Sequence, residues 1–150
     1  MRGDPHELAL GMAFGVFTGM MPIMPFQIAG AVALAILFKG SKITAALGTW
    51  ISNPLNWYFL YYTSYKLGAF ILGLKGNNEI LSSVMAAFQS GEDSMAIVGK
   101  ILGAGSLTVA AFLFGGLIMG MVASFPTYFI FLPVFRRIRN WRELRRKLRN

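Results

Sequence analysis

The chain contains no cysteine and a single histidine, His6, among its 150 residues. These absences exclude a disulfide scaffold, thiolate catalysis and any Cys/His zinc site. The sequence also has no Ser-His-Asp set, no metal-ligand spacing and no glycine-rich phosphate loop. We therefore predict no catalytic residue, no metal, no cofactor and no enzymatic activity.

Charge is scarce as well. Charged residues make up 13% of the chain, against about 25% in an ordinary soluble domain. Hydrophobic residues make up 55%, and the mean hydropathy is +0.57. A soluble domain of this size buries only about two-thirds of its chain surface, which is too little to cover so much apolar area. This composition argues against both a soluble enzyme and a disordered chain.

Three long runs carry no charge at all: 8–38, 43–65 and 101–135. A helix that crosses a bilayer needs about 20 apolar residues, so each run is long enough to enter one. We predict an all-α integral membrane protein: a small helical bundle over 1–135, followed by a basic cytoplasmic amphipathic tail over 136–150. Because the runs lack Asp and Glu, carboxylate proton relays and carboxylate cation sites are hard to build.

Prolines interrupt two of these runs. Pro22 and Pro25 divide the first run, and Pro54 divides the second after Asn53. The pieces of the first run, 8–21 and 26–38, would rise only about 21 and 20 Å as helices. The sequence is compatible with one kinked, tilted crossing or with a re-entrant hairpin of two half-helices. Either arrangement needs neighbouring protein or a polar cavity to cover the broken backbone.

The remaining segments complete the predicted topology. Segment 55–74 is long enough to span, and 105–125 is a second span followed by Pro126 and Pro133 near its exit. Segment 79–90 has helical apolar periodicity and is predicted to lie at the interface. The Lys/Arg bias places the C-terminal tail in the cytoplasm. A same-side hairpin would bring Arg2, Lys39 and Lys42 to that side too.

The two breaks suggest a binding site. A helix that restarts after a break presents unpaired N–H groups and attracts anions. Gln27 and Asn53 add a polar amide at each break, and paired broken helices are typical of transporter sites. In the alternative interpretation both breaks are structural kinks, and the two amides satisfy freed backbone groups.

Lys66 interrupts an apolar helix, on the same face as Tyr58 and Tyr62. A lysine at the bilayer centre costs roughly 3 kcal/mol on insertion scales. Lys66 either extends to the interface at little cost or, with Tyr62, faces an internal site for an anionic headgroup. The tryptophans and tyrosines of this region are equally compatible with an interfacial aromatic belt.

Glycines at helical spacing form two further motifs. Small residues let transmembrane backbones approach closely, so these faces suit either packing within the chain or an oligomer interface. We expect a homo-oligomer. The glycines are Gly11, Gly15, Gly19, Gly116 and Gly120.

The C-terminal tail carries most of the net charge of +8. Its pattern is a basic helix with an apolar stripe, which fits an anionic leaflet with roughly 1 kcal/mol per basic residue. A simple topology anchor is the alternative, and we expect no nucleic-acid binding because the stripe would then be exposed. The tail residues concerned are Arg136, Arg137, Arg139, Trp141, Arg142, Arg145 and Arg146.

Three motifs resemble a known family in order and spacing. They are Pro-x-x-Pro-Phe-Gln at 22–27, Thr-Trp-Ile-Ser-Asn-Pro-Leu at 49–55 and Tyr-Lys-Leu-Gly at 65–68. This order resembles a bacterial membrane family catalogued as domain of unknown function 2062. The resemblance implies a location in the bacterial inner membrane and supplies no catalytic residue.

These observations lead to two functional hypotheses. In the first, the protein transports or translocates an anionic amphiphile, such as a phospholipid or polyprenyl phosphate. Gln27, Asn53, Tyr62 and Lys66 would then bind the headgroup. In the alternative, a scaffold that does not transport organises other membrane proteins through its helix faces and basic tail.

Overall fold

The computed structural model describes residues 3–23, 26–53, 56–74 and 78–148. All regular structure within these ranges is helical, as predicted, and no strand occurs there. A 3-10 turn at Thr49–Ile51 follows the third of seven α-helices. The α-helices are α1 (Pro5–Gly19), α2 (Gln27–Leu37), α3 (Lys42–Gly48), α4 (Trp57–Ile71), α5 (Asn78–Gln89), α6 (Ser94–Gly103) and α7 (Ser106–Lys147).

The first two helices form an antiparallel hairpin rather than one kinked rod. Pro22 lies in the turn between them. At the open end of the hairpin, a Cβ on Gly40 would lie 3.2 Å from the backbone nitrogen of Gly11. The Ser41 backbone N–H donates to the Glu7 carbonyl at 2.8 Å. The chain thus returns to the level at which α1 began.

Helix α3 then packs along α1 with their backbones in close contact. A Cβ added to Gly48 would lie 2.6 Å from the Met12 carbonyl oxygen, so only glycine fits. Three alanines, Ala31, Ala35 and Ala45, form a fully buried cluster beside this contact. We call residues 5–51 the hairpin unit. Its interior consists of small side chains and of backbone segments that touch one another.

Helices α4, α5 and α6 form a second unit with a different interior. Tyr61, Tyr65 and Phe112 are buried together, and the rings of Tyr65 and Phe112 are 5.0 Å apart. We call residues 57–103 the aromatic-core unit, which closes against the start of α7. The aliphatic side chains that complete its core are Leu60, Leu81, Val84, Met85, Ile97 and Ile101.

Helix α7 connects the two units. It has 42 residues and is therefore about 63 Å long. Its first part runs antiparallel to α4, where the Ser64 hydroxyl donates to the Phe112 carbonyl at 2.7 Å. Its next part runs antiparallel to α1, where a Cβ on Gly120 would lie 2.7 Å from the Phe17 carbonyl oxygen.

Helix α7 continues through Pro126 and Pro133, so neither proline ends the helix. A proline removes one backbone donor, and nearby hydroxyls and tertiary contacts can compensate within a membrane helix. Thr127 donates its hydroxyl to the Ala123 carbonyl at 2.7 Å beside the first proline. The predicted boundary between residues 135 and 136 therefore falls inside a continuous helix, and the division into two domains stays a prediction.

Helix α4 is shorter than the predicted span at 55–74. Its 15 residues rise about 22 Å, less than the roughly 30 Å hydrocarbon core. Asn56 caps the turn before the helix, and Gly73, with a φ of +63°, ends it. Among the described residues, one helix, Ser106–Arg145, is long and apolar enough to cross a membrane. The predicted helix at 79–90 is confirmed as α5.

Candidate functional site

Gln27 lies at the start of α2 and is 7% exposed. Its side-chain Nε2 donates to the carbonyl oxygen of Met21 at 2.9 Å. That carbonyl belongs to the turn after α1, where helical hydrogen bonding has ended. The Ile23 backbone N–H donates to the same carbonyl at 2.8 Å, so the Gln27 amide is a second donor to this oxygen and ties the start of α2 to the turn.

The second break has a similar local arrangement. The Asn53 backbone N–H donates to the Asn56 side-chain oxygen at 2.9 Å, and this bond braces the turn before α4. The predicted breaks at Pro25 and Pro54 lie outside the described residues.

Tyr62 and Lys66 lie on an exposed face of α4. The Lys66 ammonium is 5.8 Å from the centre of the Tyr62 ring, within cation–π range, and the Tyr58 and Tyr62 rings stack at 6.3 Å. Lys66 is nine residues beyond the start of α4, a rise of about 14 Å. Gln27 and Asn53 thus lie at the turns, whereas Tyr62 and Lys66 lie further along α4.

All five predicted packing glycines contact other parts of the same chain. Gly11, Gly15 and Gly19 face α3 and the 3-10 turn, and Gly116 and Gly120 face the end of α1. Three equally close approaches, at Gly48, Gly68 and Gly115, were not predicted, because none of these glycines forms a GxxxG repeat along its helix. A Cβ on Gly68 would lie 2.5 Å from the Ala111 carbonyl carbon.

An apolar groove of about 570 Å³ lies between α1, α2 and α7. Its volume falls within the roughly 300–1,000 Å³ of ordinary ligand sites. The groove could not be predicted from the sequence, because its walls come from three distant segments of ordinary hydrophobic residues. The residues that shape it include Leu10, Phe14, Phe17, Leu34, Phe125 and Tyr128.

The charged end of the molecule lies just beyond this groove. His6 Nδ1 and the Tyr128 hydroxyl are 2.7 Å apart, and a guanidinium nitrogen of Arg139 is 3.3 Å from an Asp4 carboxylate oxygen. These contacts join the start of α1 to α7.

The hairpin brings further cations to the same end. The bond between Ser41 and Glu7 fixes the α2–α3 connection beside the start of α1. Lys39 and Lys42 flank that connection, so they share an end with Arg139. A same-side hairpin predicts this grouping of Lys39 and Lys42, and its third predicted member, Arg2, lies outside the described residues.

The tail is the last part of α7, and its described basic residues are exposed. The Arg145 guanidinium lies 3.9 Å from the centre of the Trp141 ring, and Trp141 is itself 56% exposed. Exposed arginines precede and surround this pair, namely Arg136, Arg137, Arg139 and Arg142. The side chain of Arg146 lies outside the described part of the chain.

Comparison with protein families agrees with the resemblance seen in the motifs. The model of the family described as "Uncharacterized protein conserved in bacteria (DUF2062)" matches residues 1–144. The chain belongs to this family. Membership covers the hairpin unit, the aromatic-core unit and nearly all of α7. No curated protein and no solved structure matches the chain significantly.

Proposed function

We propose that this member of the DUF2062 family is a multi-pass protein of the bacterial inner membrane with its basic tail in the cytoplasm. Large apolar side chains are exposed around the molecule, for example Trp50 at 75% and Val122 at 69%. Water would make such a surface unstable, whereas lipid accommodates it. The cations at the hairpin end and the tail follow the positive-inside pattern, which supports this orientation.

Within that membrane, we propose that the protein binds and translocates an anionic amphiphile. The observation that carries this proposal is the apolar groove between α1, α2 and α7. Its walls suit a hydrocarbon chain. Lys39 lies five residues beyond the lining residue Leu34, and Arg136 lies about 10 Å along α7 from Phe129. A phosphate headgroup at these cations would leave its chain inside the groove.

Cations lie beyond both ends of this groove, which supports translocation rather than simple binding. Lys39 and Arg136 lie beyond one end of the groove. Lys66 lies beyond the other end, beside the part of α7 that precedes the residues lining the groove. An anionic headgroup that moved from one end to the other would be attracted at both. In this proposal Lys66 and Tyr62 keep the headgroup role predicted from the sequence, and Gln27 shapes the turn between α1 and α2.

The test is lipid flux in liposomes that contain the purified protein and a fluorescent phospholipid or polyprenyl phosphate. Ser124 lines the groove, so Ser124→Trp should fill it and slow flux several-fold. Val122 is two residues away but 69% exposed, so Val122→Trp is the matched control and should transport normally. Lys66→Leu should slow flux as well. Wild-type flux equal to that of empty liposomes would refute translocation.

The scaffold hypothesis is the second candidate. Its support is an exposed apolar surface on α2 and α3, which includes Ile36, Leu37, Ile43 and Leu47. The five predicted glycines no longer support it, because they are occupied within the chain. Co-purification of a partner in fixed proportion, together with an absence of flux, would favour the scaffold over the transporter.

A further inference from the structure

We propose that the bilayer covers the hairpin unit, the adjoining part of α7 and the start of α4, while α5, α6 and the end of α4 beyond Lys66 form a cap on the outer surface. This inference rests on the membrane location proposed above, but not on transport. It assigns the partner of each surface: hydrocarbon for the hairpin unit, the headgroup layer for exposed apolar side chains of the cap such as Phe70 and Leu102, and water for its charged loops.

The first argument is the spacing of charges along α7. Ser64 and Gly68 contact the stretch 111–115 of α7, so Lys66 lies level with about Leu113. From Leu113 the helix rises about 22 Å to Tyr128, the partner of His6, and about 34 Å to Arg136. These two distances bracket the roughly 30 Å hydrocarbon core. Lys66 and the charged end of the hairpin unit therefore lie where the two boundaries of that core belong.

The second argument is the aromatic belt near Lys66. Trp50 and Tyr62 are 75% and 41% exposed, and Tyr62 lies about 6 Å below the level of Lys66 along α4. Tyr58 lies about 12 Å below that level and is not part of the belt. Tryptophan and tyrosine are enriched where hydrocarbon meets headgroups, because their rings have both apolar and polar parts. The cation–π contact of Lys66 with Tyr62 belongs to the same boundary.

The third argument is the contrast between the two interiors. The hairpin unit packs through glycine and alanine, as helices do in lipid, where no hydrophobic effect drives them together. The cap instead packs α5 and α6 through larger apolar side chains, as a domain folded in water does, namely Leu81, Val84, Met85, Ile97 and Ile101. Its outer loops are charged: Lys100 pairs with Glu92 at 2.6 Å, and Asp93 caps α6.

One consequence concerns the turn that contains Pro22. A Cβ on Gly116 would lie 2.6 Å from Pro22 Cδ, so this turn is within about 5 Å of the level of Lys66. The broken backbone then meets the outer headgroup layer and its water, instead of a polar cavity at the bilayer centre.

Single-cysteine labelling tests the proposal directly, because the natural chain has no cysteine. Leu107 and Val122 lie on the same helix and are similarly exposed, 64% and 69%. In right-side-out membrane vesicles, a membrane-impermeant maleimide should label Leu107→Cys at least about tenfold faster than Val122→Cys. The reason is that maleimide reacts with the thiolate, which requires water. Ser82→Cys on the cap should be labelled from outside, and Asn140→Cys only in inverted vesicles.

Each other result has a definite meaning. Equal protection of Leu107→Cys and Val122→Cys, with both labelled after denaturation, would refute the cap and indicate that α7 is tilted along its whole apolar length. Labelling of Ser82→Cys and Asn140→Cys from the same side would refute it too. Rapid labelling of Val122→Cys in intact vesicles would instead refute the membrane location itself. Lipid flux measured on the same variants reports on translocation separately.

Discussion

The hairpin unit and the aromatic-core unit both pack against α7 through glycines, but their own interiors differ. In the hairpin unit, glycines let backbones touch, and the buried cluster consists of three alanines. In the aromatic-core unit, large rings and aliphatic chains fill the space between helices. The comparison teaches that similar apolar composition supports two kinds of interior. The first is held by close backbone approach, and the second adds large side chains to a close backbone approach of its own, where Gly68 meets Ala111.

The largest expected effect is in the aromatic-core unit. Phe112 is 1% exposed and contacts the rings of Tyr61 and Tyr65. Phe112→Ala should lower the free energy of unfolding by about 3–5 kcal/mol, because it leaves a cavity as well as losing apolar burial. Unfolding of the detergent-solubilised protein in SDS, followed by circular dichroism, measures this. Phe125→Ala, at a residue 71% exposed, should change it by less than about 0.5 kcal/mol.

In the hairpin unit, the addition of one methyl group at a packing glycine should have the next largest effect on the free energy of unfolding. A Cβ on Gly15 would lie 2.6 Å from the Gly48 Cα, where two backbones meet and neither can yield locally. Gly15→Ala should cost about 1–3 kcal/mol in the same SDS unfolding measurement. Gly99→Ala is the matched control, because no atom lies within 4 Å of its added Cβ. It should be neutral, or stabilising by up to about 1 kcal/mol. Equal effects of the two substitutions would contradict backbone packing.

A smaller effect is expected where α4 and α7 meet. The buried Ser64 hydroxyl donates to the Phe112 carbonyl at 2.7 Å. Ser64→Ala removes that bond and should cost about 1 kcal/mol of unfolding free energy. Ser82→Ala, at an exposed hydroxyl bonded within its own helix, should cost less. A neutral Ser64→Ala would indicate that the glycine contacts alone hold the two helices together.

The smallest effect belongs to the ion pair at the charged end. Asp4 and Arg139 are both about half exposed, so solvent screens their attraction. Asp4→Asn should lower the unfolding free energy by less than about 1 kcal/mol, and the difference should shrink further in high salt. A loss that persisted unchanged in high salt would contradict a screened surface pair.

The sequence predicted the features that depend on local signals. The apolar runs predicted helices, the prolines predicted a break between α1 and α2 without deciding between a kink and a turn, and the spacing of Gly11, Gly15 and Gly19 predicted a packing face. The length of α4 was overestimated, because apolar composition does not show that Asn56 and Gly73 bound the helix. The continuation of α7 past Pro126 was missed, since proline normally ends helices in water. The groove was missed because its walls meet only in three dimensions.

The placement of α7 at the end of the chain has a consequence for biogenesis. Tyr128 and Arg139 bind His6 and Asp4 across 122 and 135 positions of sequence. During synthesis both units are made before α7, the helix against which both of them pack. Pairing between residues so far apart in the sequence slows folding, and apolar surface stays exposed until α7 has been made. We expect nascent chains that stop before Ser106 to be bound by membrane insertion or quality-control factors until the last helix arrives.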